Sequence, residues 1–433
     1  MEQVNLGYSD KNIPIPSENE YKQCLIKKTQ KFLKSANWKA SFALNPQEKT
    51  NKTNTYGFKS SNVPPRVKEL KEFEDCMIDL VQNVKFNKNH SNKQSFQTKL
   101  GKDVHEIKTE PKLIIPADKT SNKYKLSINE YNKLLTENIQ KDYRKSDKET
   151  EKVIINNEKS TATKLGLGDR MEVPPKSESY VTIKDHKPNF RNNTKCRLIN
   201  PNKGDTGKVS KQILSQVNKQ IKNKLKYNQW RSTSDVIDWF KDLKNNKKTS
   251  FIQFDIVEFY PSISENLLDK ALTWAKLHSD LTDEQINIIK SARSTLLSSK
   301  NIPWQKKTTQ TTFDVTMGSW DGAEICELVG LYLLHLLKQV DIDVGLYRDD
   351  GLAFTDKTPR QCECIKKKIC KIFADNDLKI TIEANTKIVD FLDVTLDLNT
   401  GLFKPFIKPN NILQYVHTQS NHPPNVIKTF QRG

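Results

Sequence analysis

The chain has 433 residues, 35% of them hydrophobic and 28% charged, with a net charge of +19. That length suits two or three domains with a folded core, and the charge suits a polyanionic partner, although many of the lysines would equally serve as solvated surface. No apolar run approaches the ~20 residues of a membrane span, and seven irregularly spaced cysteines argue against a disulfide scaffold.

Met1 to about Pro111 is polar, and Met1–Pro14 carries no apolar signal core, so a reducing cytoplasm or nucleus is the expected setting. Within this part the pattern predicts helices over Glu20–Leu33 and Val67–Val84, then a linker-like stretch at Asn87–Gln97. From Leu113 the pattern tightens. Leu113–Lys119 reads as a strand running into a basic turn, Asn129–Asn138 as a helix, and the charge-dense Lys145–Lys159 as an exposed helix or loop. Ser179–Lys187 opens as a strand and turns basic. Cys196–Ile199 is a second short strand, Pro201–Gly204 a turn, and Val209–Leu225 an amphipathic basic helix.

Phe251–Asp255 is an apolar strand ending in a carboxylate. Ser262 and Glu265 are spaced as a capping box for a helix Glu265–Leu277. Thr282 and Gln285 repeat the box before a helix Asp283–Leu297. Asp321 and Glu324 repeat it again, before a long helix with Ile325, Leu328, Val329, Tyr332, Leu333, Leu336, Leu337 and Val340 on one face. Gly345–Phe354 reads as a hairpin whose turn chemistry is Asp350-Gly351. A helix Pro359–Asn376 and strands Lys379–Glu383, Ile388–Asp397 and Gly401–Ile407 follow. The order predicts an α+β fold in which helices back an antiparallel sheet.

Asp349-Asp350 lies 94 residues after Asp255. Alone, the pair would be ordinary turn chemistry. Two strands that deliver carboxylates to one spot, however, can hold a pair of Mg²⁺ ions, with Mn²⁺ as a substitute, for in-line phosphoryl transfer. The expected metal ligands are Asp255, Asp349 and the Ile256 backbone carbonyl, with Asp350 as an auxiliary. Tyr260, just past the strand end, would either pack under a nucleotide sugar and exclude a 2′-OH or sit in the core beside Phe259. Arg197, with Lys184 and Lys187 before it, would clamp a triphosphate through a planar guanidinium fork, or be surface charge on an exposed hairpin. Lys119 has the same two readings. Gly318-Ser319 would let a loop approach a base pair or phosphate closely, or simply start a helix. Cys362, Cys364 and Cys370 lack the spacing of a zinc pair and have no histidine nearby, and His417 and His422 flank a polar loop where no metal is expected.

From about Leu113 onward the sequence resembles a reverse transcriptase. Phe254–Ile263 resembles motif A of that family, Met317–Leu328 stands at motif B, and Tyr347–Gly351 resembles motif C, the aromatic-x-Asp-Asp box. Thr386-Lys387 with Asp390–Val394 resembles motifs D and E, and Lys184–Pro188 with Cys196–Pro201 resembles the triphosphate-holding finger segment. The nearest group is the polymerases of Penelope-like retroelements, which are related to telomerase. The pointers are Lys184–Pro188 before Arg197, the Phe391–Val394 box, and Gln414-Tyr415 leading to Ser420–Pro423.

The resemblance implies a right-hand polymerase. Residues 1–112 would be a basic polar extension, partly helical or disordered, 113–248 the fingers, 249–397 the palm and 398–433 the start of a truncated thumb. Asp255 and Asp349 would bind both metals with Asp350 in support, Tyr260 would be the steric gate selecting dNTPs, and Arg197 would contact the triphosphate. Lys387 would be the motif D lysine, a general acid to the leaving pyrophosphate, and Phe391–Val394 would help grip the primer. The implied activity is RNA-directed DNA synthesis by a retroelement enzyme, with RNA template, DNA primer or RNA–DNA hybrid, and dNTPs as partners. The alternatives are an RNA-templated RNA polymerase and a non-catalytic nucleic-acid-binding protein derived from a polymerase. Gly318-Ser319-Trp320-Asp321-Gly322 departs from the family's Gly-Ser-Pro pattern, and Gly433 falls soon after the palm should end, without an endonuclease domain.

Overall fold

One helix, Gly322–Leu337, is apolar nearly all round, and a helix with no polar face must be buried. Ile325, Leu328, Val329, Leu331, Leu333 and Leu337 are indeed all fully buried. The computed structural model describes residues 2–4, 11–46, 56–58, 63–85, 95–171, 177–187, 189–201, 203–243, 249–407, 411, 416–423 and 425–426. Contacts divide it into two units. The first holds Met1–Lys133, Ile183–Lys195 and Asn410–Gly433; the second holds Leu134–Thr182 and Cys196–Pro409. Residues 87–94 of the expected linker, Pro188, Asn202, Gln414 and Tyr415 lie outside the described residues.

The second unit is built on a five-stranded sheet. Its elements in chain order are α1 (Asp205–Leu225), β1 (Asn228–Gln229), β2 (Ser250–Ile256), α2 (Gly322–Leu337), β3 (Asp343–Tyr347), β4 (Asp350–Thr355), α3 (Pro359–Ala374) and β5 (Ile380–Thr386). The strand order is β5-β2-β4-β3-β1, antiparallel except for the β3–β1 pair. Side chains alternate across the sheet, so β2 sends Phe254 to one face, edge-on against Phe373 of α3 with 5.4 Å between ring centres. Phe251 goes to the other face, into a cluster with Trp230, Trp239, Leu352 and Phe391. Asp255 shares the Phe251 face by the same alternation, and Asp350 shares the Leu352 face.

Several local expectations change. The helix after β2 is capped by Ser264, whose hydroxyl accepts from the Leu267 N–H at 3.1 Å, not by Ser262, which ends a short helix Phe259–Ser262. The Thr282–Gln285 box forms, but its helix stops at Ser291, and Leu297–Ser299 pairs as a strand with Ile302–Lys306. Asp321 makes no cap; its side chain is ion-paired to Arg293. The hairpin turn is Arg348-Asp349, with Arg348 at φ +54°, because Tyr347 and Asp350 are already register partners. Gly351 is therefore in the strand, where a Cβ would run into the Phe254 ring. The run from Ile388 to Asp397 is two strands, Ile388–Phe391 and Val394–Asp397, folded at Leu392-Asp393 with Leu392 at φ +55°. In the helix Pro359–Ala374, Cys362 is buried, Cys370 half-buried and Cys364 exposed.

In the first unit Glu2–Val4, Lys123–Leu126 and Leu113–Pro116 form an antiparallel sheet with Lys123–Leu126 central. The helices are Glu18–Leu44, Lys71–Gln82 and Ser95–Thr109, the last unpredicted. Phe96 of that helix stacks on His417 with ring centres 3.8 Å apart, and the Ser420 hydroxyl accepts from the Ile13 N–H at 2.8 Å. Among the described residues no helix is long and apolar enough to cross a membrane.

Candidate active site

The carboxylates meet where the register of the sheet requires. Asp350 is the cross-strand partner of Asp255, and directly opposed residues place their Cβ atoms about 4.5–5.5 Å apart. Asp349 sits in the turn that starts β4, and its carbonyl accepts from the Ile256 N–H at 2.9 Å. Asp255, Ile256, Asp349 and Asp350 therefore converge at one end of the sheet. Asp255 is exposed, while Asp349 and Asp350 are half-buried.

Among the described residues no three His, Cys, Asp or Glu side chains close into a metal cage. Mg²⁺ seldom needs one. It usually binds one or two carboxylates together with substrate phosphates and waters, and an open pair of carboxylates beside a strand end fits that mode.

Tyr260 stands over this end. Its Cε1 lies 3.3 Å from the position a Cβ on Gly322 would take. Burial, the neighbouring Cys326 and the Asp349 charge push its phenol pKa up, so the hydroxyl stays protonated. Burial likewise keeps the Cys326 thiol neutral. The short helix carrying Tyr260 is anchored from below. The buried Lys306 ammonium donates to the Pro261 carbonyl at 2.5 Å and pairs with Asp314 at 3.3 Å, and Asp314 accepts from the Tyr143 hydroxyl at 2.7 Å.

The Gly318-Ser319 loop lies at the start of α2. Gly318 has φ +115°, and a Cβ there would come 2.5 Å from the Asn200 carbonyl oxygen. The Asn200 N–H donates to the Met317 carbonyl at 2.9 Å. The strand Cys196–Ile199, which carries Arg197, is thus tied to this loop. The Ser319 hydroxyl donates back to Thr316.

Within the second unit, Lys387, Phe391 and Val394 are not gathered here. Lys387 lies at the far end of β2, where its ammonium donates to the Thr249 carbonyl. Six residues of strand separate Thr249 from Asp255, about 20 Å at ~3.3 Å per residue. Phe391 and Val394 are buried in the core, leaving only the tip residues Leu392 and Asp393 accessible. Lys184 and Lys187 belong to the first unit, in a turn around the buried Asp185. That carboxylate accepts from Thr120, Asn122 and Tyr124 at 2.6–2.9 Å.

Two residues at the carboxylate end escaped the sequence reading. Lys379 is exposed, and its carbonyl accepts from Val257, two residues past Asp255, at 2.8 Å. Its position at the start of β5 was the available signal. Arg348 is exposed at the hairpin tip, 5.5 Å from the Tyr347 ring centre.

No family model matches the chain, and none of the curated proteins matches it. Solved structures do. The telomerase of Candida albicans in complex with a fragment of telomeric RNA has a TM-score of 0.50 at 13% identity, covering 96% of this chain and 77% of that one. Apo telomerase from Candida tropicalis gives 0.49 at 11% identity, covering 82% and 71%. The RNA-dependent RNA polymerase of a human picobirnavirus gives 0.41 at 10% identity, covering 92% and 79%.

Proposed function

The fold is that of a right-hand polymerase, and from it we propose that the chain is an RNA-directed DNA polymerase of a retroelement, most like the Penelope-like group. The observation that carries this reading is the pairing of Asp255 with Asp350 across β2 and β4, with Asp349 at the adjoining turn.

In this reading Asp255, Asp349 and the Ile256 carbonyl would hold two Mg²⁺ ions, with Asp350 in support. When bound, the ions would activate the primer 3′-OH and offset charge on the pyrophosphate as it leaves. The protein's own part is placement and electrostatics. Tyr260, fixed by the Lys306–Pro261 contact and packed on Gly322, presents a rigid ring to the nucleotide sugar and rejects a 2′-OH. Arg197 and Arg348 supply positive charge for the triphosphate. Lys379, at the same strand end as Asp255, takes the proton-donating role toward pyrophosphate that the resemblance had given to Lys387. The RNA template and primer draw on the basic charge of the chain.

The test is single-nucleotide incorporation on a primed RNA template, comparing each dNTP with its rNTP, for wild type and Tyr260→Ala. Wild type should strongly prefer dNTPs, and Tyr260→Ala should lose most of that preference. Equal use of rNTPs by wild type would point to an RNA-templated RNA polymerase instead.

A further inference from the structure

A cleft in the second unit lies beside the Gly318–Asp321 loop and is used by nothing above. Gly204, Gly207, Glu158, Arg293, Trp320 and Asp321 contribute to its walls. Trp320 is half-buried, and its indole N–H donates to the Lys203 carbonyl at 3.2 Å, which fixes the ring against the turn that precedes α1. The Lys203 ammonium lies 4.8 Å from the ring centre and the Lys208 ammonium 5.2 Å. Lys208 also pairs with Asp205 at 2.5 Å. Lys203 is exposed and, among the described residues, forms no ion pair.

The cleft wall adds a second observation. Arg293 Nε and Asp321 Oδ2 belong to side chains almost wholly removed from water, yet neither atom has a hydrogen-bond partner. They leave one donor and one acceptor unmatched in residues that line the cleft. Burial, with the Asp205 charge nearby, raises the Glu158 pKa and favours its neutral form. A wall made of a neutral carboxyl and a charge-balanced ion pair offers phosphate no net positive charge but accommodates the edge of a base, while the cations sit over the aromatic ring. Single-strand binding sites combine those two elements, a stacking ring and backbone-tracking cations.

We infer that Trp320, Lys203 and Lys208 form a platform for single-stranded nucleic acid. One base stacks on the indole, and its flanking phosphates meet the two lysines. The inference rests on the polymerase reading for the source of the strand, but the binding itself needs no catalysis. It also gives a use to Trp320, which stands where the resemblance to reverse transcriptases leads one to expect proline.

The experiment is fluorescence anisotropy of the full chain with labelled oligo-U RNA and oligo-dT, in EDTA and without nucleotides, across a salt series. Trp320→Ala should weaken binding about 5- to 150-fold, the range for loss of one stacked base, and Trp320→Phe should retain most of the affinity. Lys203→Ala with Lys208→Ala should reduce the slope of log affinity against log salt by about 1.4, at ~0.7 per single-strand phosphate contact. Thermal unfolding of each variant guards against loss of fold. Wild-type affinity in folded Trp320→Ala, or an unchanged salt slope in the lysine variant, overturns the platform. Primer extension on the same preparations separates the two readings. A wild type that extends primers while Trp320→Ala binds normally sinks the platform alone, whereas Trp320-dependent binding without extension sinks the polymerase reading alone.

Discussion

Replacing Arg293 by Met should be among the most destabilising single changes open to the second unit. Arg293 is 1% exposed and Asp321 0%, so their ion pair lies out of water. Asp321 Oδ2 already lacks a hydrogen-bond partner. Without the guanidinium, the whole carboxylate would be a buried, unpaired ion at the start of α2. Stranding one member of a buried pair costs about 3–5 kcal/mol, a large part of the ~5–15 kcal/mol that holds a domain folded. Removing both charges, with Arg293→Met and Asp321→Val together, should recover most of the loss, because apolar replacement of a buried pair is often neutral or stabilising by ~1–4 kcal/mol. Urea unfolding of wild type, both single variants and the double variant measures this, provided the slope with denaturant is unchanged. A loss below about 1 kcal/mol in Arg293→Met, or a double variant no more stable than the worse single one, would mean that the buried carboxylate is not stranded by loss of the guanidinium.

Further expectations concern other contacts. Gly351→Ala forces a methyl into the Phe254 ring and should cost about 1–3 kcal/mol, partly regained by adding Phe254→Leu; urea midpoints report both. Lys379→Ala should slow single-turnover incorporation by about 10²-fold or more, the usual scale of a lost general acid. Lys387→Ala should leave that rate alone and lower the melting temperature, since its ammonium holds the Thr249 carbonyl. His335 has its pKa lowered by burial and by His278 and Lys338, and it contacts the Tyr227 hydroxyl at 3.1 Å. A depressed folded pKa gives stability that is present above the ordinary histidine value near 6.5 and lost as pH falls through the folded value. The melting temperature should therefore drop on acidification below about pH 6.5, and His335→Gln should flatten that drop.

The features that sequence revealed were those set by local period. β2 and the β3–β4 hairpin were legible because apolar runs ending in carboxylates need only a strand to bring Asp255 and Asp350 level. The long helix after Gly322 announced itself by its apolar surface. What escaped was set by distant partners. Asp321 has the spacing of a cap, but Arg293, 28 residues away, takes its carboxylate. Asp350-Gly351 has the composition of a turn, but the Phe254 ring is what requires the glycine. Ser264 outcompetes Ser262 because Pro261 and Ser262 are already held in a short helix. Lys379 and Lys387 flank opposite ends of β5, and residue type cannot say which end faces Asp255; the β2–β5 register does. The helix Ser95–Thr109 has a weak pattern of its own, and its first turn packs on His417, more than 300 residues later.

Whether the paired carboxylates run the chemistry is decided by primer extension on an RNA template with Mg²⁺ and dNTPs, with wild type and Asp349→Ala side by side. Wild type should extend the primer and Asp349→Ala should not, with the two proteins unfolding at similar temperatures. Full extension by Asp349→Ala would contradict that expectation, because the carboxylates at the end of β2 and β4 would then not be the seat of the chemistry.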